Sequence, residues 1–184
     1  MRTHRIEAAL FAAIVLIGLA GCASQAPRIS APEAALPADD GSPGFLDRVA
    51  SQPTVSENDA CRGILMLLNG EDKAASFRQR VEALVGRGVI PGDWTYDAQR
   101  PITRGRLAYM VCRACDVRGG VILSLTGPSQ RYCLRELQYM GMVSGATVWG
   151  LPNGMEFVAI LTRADTYRRT GELPAIMELP KEGQ

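Results

Sequence analysis

Histidine is the scarcest residue in the chain. Its single copy, His4, lies in the first five residues, ahead of an apolar run, so the rest of the chain has no imidazole for a triad or a metal site. Charge of one sign is lacking too. The 20 Lys and Arg face 19 Asp and Glu, which excludes the strongly basic surface that nucleic acid requires. Catalytic signatures are missing: there is no Gly-x-Ser-x-Gly, no P-loop and no dinucleotide fingerprint, and no carboxylate pair stands out by spacing. The expectation is a non-enzyme with no cofactor and no metal. Only one hydrophobic run is long, over 8–20, and it falls short of the about 20 residues of a membrane-spanning helix.

What is present starts with an export signal. Residues 1–5 (MRTHR) carry two arginines, the apolar run follows, and it closes in Leu19-Ala20-Gly21-Cys22. A basic start, a short apolar stretch and small residues at a cut site make a secretory signal. Its last four residues resemble a bacterial lipobox. That resemblance implies cleavage ahead of Cys22, acylation of Cys22 and anchoring in membrane lipid by two or three chains. Ala23 follows, not the Asp that holds such proteins at the inner membrane, so the expected place is the cell envelope at the outer membrane. Loss of 1–21 removes Arg2, Arg5 and Glu7 and leaves a neutral mature chain.

At 184 residues and 47% apolar content the chain has room for one cored domain with appendages. Prolines at 27, 32, 37, 43 and 53 defeat any helical or strand period, so 22–53 reads as the lipidated cysteine and an extended Pro/Ala-rich linker, with a local turn at 45–50. Extended throughout, such a linker holds a domain tens of ångströms from a membrane, at about 3 Å per residue. Residues 54–170 read as the folded unit and 171–184 as a tail.

The folded unit resembles itself at a spacing near 50 residues. Leu84, Gly88, Val89-Ile90 and Gly92 fall on Leu137, Gly141, Met142-Val143 and Gly145. After a loop, Thr103 to Arg106 falls on Asn153 to Glu156, Leu107 on Phe157, and Arg113-Ala114 on Arg163-Ala164. A partial third copy runs from Ser56 through Asp59, Ala60, Gly63, Ile64 and Leu67. Apolar residues at helical spacing (Phe77, Val81, Leu84, Val85; Leu107, Met110, Val111, Ala114) predict helices near 57–69, 75–87, 103–115, 129–140 and 153–165. Gly88 and Gly141 stand where a helix ends left-handed. The apolar stretch 119–127 is too short to separate strand from buried connection. The expected fold is all-α, a small bundle of repeated helix-loop-helix units.

The strings RGVIPG (87–92) with ITRGRLAYMVCRA (102–114), and MGMVSG (140–145) with LPNGMEFVAILTRA (151–164), resemble the S-layer homology (SLH) domain. The resemblance covers about 77–165, plus an incomplete repeat over 55–69. It implies a module that binds cell-wall polysaccharide, with a Thr-Arg motif and loop residues on an anionic sugar. Carried onto this chain, those residues are Thr103, Arg104 and Arg106, with Trp94 and Trp149 from the loops. Gly105-Arg106 stands where the family motif has Ala-Glu, and the second copy keeps only Glu156 of it. Another envelope protein is the other partner class.

Several residues have a plainer reading. Ser56-x-x-Asp59 and Asn153-x-x-Glu156 fit capping boxes, and Thr103 can cap likewise. Trp94, Tyr96 and Trp149 can stack on sugars or plug the ends of helical hairpins. Seven arginines between Asp97 and Arg135 (at 100, 104, 106, 113, 118, 131 and 135) suit carboxylates or phosphates only if they share a face. Cys61, Cys112, Cys115 and Cys133 remain after lipidation of Cys22 and can be buried thiols or disulfides. Cys112-x-x-Cys115 has thioredoxin-type spacing, so a periplasmic thiol-redox protein is the alternative function. It lies at a helix end, where the dipole disfavours a thiolate, and no second close pair completes a zinc site.

Overall fold

In a computed structural model, the residues described are 27–29, 44–117, 127–145 and 147–173. The expected export signal, Cys22, most of the expected linker, Arg118, most of the stretch 119–127 and the tail beyond 173 lie outside them. The described fold is mostly helical, as expected. Its elements are β1 (Arg28–Ile29), α1 (Gly44–Ala50), α2 (Glu57–Asn69), α3 (Phe77–Gly86), β2 (Thr95–Tyr96), α4 (Arg104–Ala114), α5 (Gln130–Tyr139) and α6 (Gly154–Thr170). The strands form one short parallel pair, Arg28 opposite Thr95 and Ile29 opposite Tyr96.

Each of the five longer helices starts the same way. An extended Ser, Thr or Asn accepts from the backbone N–H three residues on: Ser56 from Asp59, Ser76 from Gln79, Thr103 from Arg106, Ser129 from Tyr132 and Asn153 from Glu156. The reciprocal half of the expected boxes differs. Asp59 accepts from the Ser56 hydroxyl at 2.8 Å, and Glu156 turns to Arg104. The side chain that reaches back is Gln79, which accepts from the Ala75 N–H at 2.8 Å. Gly88 (φ 66°) and Gly141 (φ 75°) end α3 and α5 left-handed, with matching bonds from Val89 N–H to the Leu84 carbonyl and from Met142 N–H to that of Leu137. Helix α6 outruns its expected end at 165, because nothing stops it before Gly171 (φ 77°).

Three helix N-termini close a ring through their neighbours' loops. The N–H groups of Glu57 and Asn58 donate to Arg100 and Ala98, in the loop before α4. Those of Arg104 and Gly105 donate to Gly150 and Val148, in the loop before α6. That of Gly154 donates to Gln52, in the segment before α2. Each first turn thus satisfies donors that a helix cannot satisfy itself. The approach is close enough to require glycine. A Cβ on Gly105 would stand 2.5 Å from Val148 Cγ1, and one on Gly154 would collide with the Val49 carbonyl. Inside the ring, Ile64, Leu84, Leu107, Val111, Leu137, Phe157 and Ile160 are fully or almost fully buried. The missing side chain of Gly63 makes room for Phe157 and Leu161 of α6.

The extended reading of the linker does not hold over 44–50. That stretch is helix α1, with Phe45 and Val49 fully buried against α6, and Arg62 stacks 4.3 Å from the Phe45 ring centroid. Arg28 and Ile29 dock as well, through β1. Five prolines conceal a two-turn helix whose apolar pair, Phe45 and Val49, is only one helical repeat long.

Candidate functional site

The residues singled out from the two loops separate into two unlike settings. In the first loop everything converges on Glu57, at the first turn of α2. Its carboxylate is almost wholly buried and accepts from Arg100 Nε at 2.9 Å, from Arg106 Nη1 and from the Asp97 N–H at 3.0 Å. Arg106 lies flat over Trp94, 4.5 Å from its centroid, and near Tyr96, whose hydroxyl donates to the Pro91 carbonyl. Trp94 also packs tilted on Tyr109 at 5.2 Å. Burial pushes the Tyr96 and Tyr109 hydroxyls up from their ordinary range. Arg106 is therefore committed to Glu57 and to the Trp94 ring, and Trp94 is half-buried among Arg106, Tyr96 and Tyr109.

The second loop is built differently. Arg104, at the first turn of α4, grips Glu156 of α6 through two parallel bonds, Nε to Oε1 and Nη2 to Oε2, both 2.6 Å. That hydrogen-bonded partner holds the Arg104 guanidinium above its usual range. Both side chains remain about one-fifth exposed. The fork assigned to an external carboxylate is thus already filled by one from this chain. Thr103 is a cap, as its plainer reading had it.

Trp149, by contrast, is 79% exposed. It sits on the turn 147–150, closed by Gly150 N–H to the Thr147 carbonyl at 3.1 Å. The carbonyls on either side of it, of Val148 and Gly150, accept from the first turn of α4 at 2.9 and 2.8 Å. The absent Cβ of Gly150 leaves the space that the Arg104 guanidinium occupies. The backbone is fixed on both sides while the indole is exposed, and Leu151 and Met155, a few residues on in the chain, are exposed too. A rigid aromatic beside a charged pair can stack on a ring whose hydroxyls bond the rim.

Among the described residues, the remaining arginines have separate settings. Arg113 donates to the Gly88 carbonyl at 2.8 Å, as Arg163 does to that of Met142 at 3.1 Å, and Arg131 and Arg135 are exposed on α5. The four described cysteines, Cys61, Cys112, Cys115 and Cys133, are buried, and no disulfide joins them in this structure. Cys112 turns its Sγ to the Cys133 carbonyl at 3.7 Å, whereas Cys115 turns to that of Ala164 at 3.8 Å. The Cys112-x-x-Cys115 thiols therefore face different helices. Burial pushes Cys61 up and Cys115 to about 11, and the neighbouring Cys133 together with burial pushes Cys112 up, the reverse of an activated thiol.

The sequence reading missed Glu57 as the hub and Glu156 as the partner of Arg104. A signal existed: the capping turns of the three aligned copies carry acids where a neighbouring copy carries arginine. Comparison with protein-family models, with characterised proteins and with solved structures finds no match to this chain.

Proposed function

We propose that this protein is a cell-envelope lipoprotein whose helical SLH-like domain binds wall polysaccharide without catalysis, through the face around Trp149. The observation that carries the reading is an indole exposed on a backbone pinned at both neighbouring carbonyls. A solvent-facing aromatic costs hydrophobic free energy, and rigid placement lowers the entropy lost on binding. Support for SLH-like repeats comes from the ring of helix starts: bonds recur at the same offsets, three and five residues ahead of the caps Thr103 and Asn153. The equivalent arginines Arg113 and Arg163 reach back to equivalent turns.

Anchoring rests on the lipobox at Cys22. Strand β1 then shortens the tether, because only 23–27 separate Cys22 from Arg28. At full extension that distance is roughly 20 Å, which holds the β1–β2 side close to the bilayer. A protein partner in the envelope is the second reading, favoured by the exposed Leu151 and Met155, a few residues on from Trp149. Thiol-redox chemistry at Cys112 and Cys115 has less support, given that both thiols are buried and raised.

Two experiments test the proposal. Cys22→Ser should abolish fatty-acid labelling and leave an uncleaved precursor or a soluble product. Normal processing and membrane fractionation of that variant contradict the anchor. Titration of the mature domain with soluble wall-glycan fragments should shift its tryptophan emission, and Trp149→Phe should remove the shift. An unshifted spectrum contradicts the glycan site.

A further inference from the structure

Four thiols are buried in this domain, and two of them meet across a helix interface. Cys112 lies near the end of α4 and Cys133 in the second turn of α5, and these two helices are closely packed on each other. The Cys112 Sγ sits 3.7 Å from the Cys133 backbone carbonyl, which brings the two residues together where α4 packs on α5. The other two thiols are accounted for elsewhere. Cys115 faces the Ala164 carbonyl of α6, and Cys61 lies among Glu57, Trp94, Tyr96, Ile102, Arg106 and Met110. Of the three ways to pair four cysteines, none joins both couples here: one couple is in contact and the other is apart.

We infer that Cys112 and Cys133 are joined by a disulfide in the native protein, with Cys61 and Cys115 remaining thiols. This rests on the envelope reading above, because an exported chain meets an oxidant that a cytosolic one does not. The oxidant is a disulfide of the exchange type, carried by a small molecule or a protein. One thiolate of the pair attacks a sulfur of that disulfide, forms a mixed disulfide and expels the first donor thiolate. The second thiolate of the pair then attacks the mixed disulfide and expels the other. Two electrons pass to the donor, whose two thiolates take up the two protons. Cys133 is suited to the first attack, since it follows the start of α5, where the dipole favours the thiolate. Because both sulfurs end buried, exchange precedes closure of α4 on α5. The bond then staples these helices across the connection between them.

The test uses the mature domain, refolded with oxidised glutathione, and the full chain taken from cells with thiols trapped in denaturant by N-ethylmaleimide. In both, the expected result is a mass lower by two hydrogens, two labelled thiols, and one non-reduced peptide pair holding Cys112 and Cys133. Reduction should lower the Tm by roughly 12 °C, the size for a closed loop of about 22 residues in a domain this small. Cys112→Ser should leave Cys133 labelled. Cys61→Ser and Cys115→Ser, which leave the pair untouched, should retain the link even if Cys112→Ser fails to fold. Four labelled thiols, or a link through Cys61 or Cys115, overturns the pairing. A link made in vitro but absent in cells overturns the envelope location and the native disulfide with it, while the contact geometry stands.

Discussion

Glu57 accepts from two guanidinium groups and a backbone N–H while only 3% exposed, so its removal strands cations that were desolvated around it. Glu57→Ala should destabilise the domain by about 3 kcal/mol, below the full cost of a buried pair because Arg100 is partly exposed. Denaturation in urea reads this, and a loss under about 1 kcal/mol contradicts the hub. Arg104 and Glu156 should show a coupling of about 1 kcal/mol in a double-mutant cycle, the scale of a partly exposed bidentate pair. Additive single effects would mean the pair is not formed. Titration offers a further check. Cys115 is raised from 9.0 to about 11, so the folded state holds its proton where the unfolded chain has released it. Between those values the unfolded state binds fewer protons, and stability must fall as pH rises. With Tyr109 shifted the same way, midpoints measured from pH 8 to 11 should decline. Flat midpoints contradict a buried Cys115.

At the scale of elements, helices were legible wherever an apolar stripe of three or more turns met a Ser, Thr or Asn cap. The stretch 57–69 was read as it stands, and 77–86, 104–114 and 130–139 to within two residues. What escaped was α1, where prolines at 43 and 53 outweighed the two inward residues Phe45 and Val49. Phe45→Ala should cost about 3 kcal/mol in chemical denaturation, against nothing for a residue in a linker. Gly154→Ala is a sharper probe of the same docking, because its methyl would collide with the Val49 carbonyl. It should cost at least about 2 kcal/mol and open 44–50 to protease. Of the candidate site, types were readable but partners were not. Arg104 and Arg106 look alike in sequence. Only the ring of helix starts places one on Glu156 at the surface and the other on buried Glu57.

At the scale of the whole molecule, cyclic closure ties the loops and helix starts of the described residues into one unit. Each loop is held by the next helix start, so the three starts support one another. Trp94 is covered by Arg106 at one junction, while Trp149 faces outward at the other. With β1 docked, the proposed lipidation of Cys22 would keep the domain near a membrane, and Trp149 is the more exposed of the two indoles with which to reach outward. The most direct measurement is co-sedimentation of the mature domain with purified cell-wall material, beside Trp149→Ala. The account predicts that the wild-type domain pellets with the wall and that Trp149→Ala, folded with an unchanged Tm, binds at least about tenfold more weakly, the scale for truncating a central aromatic. A wild-type domain that stays in the supernatant, or a Trp149→Ala variant that pellets equally, contradicts it.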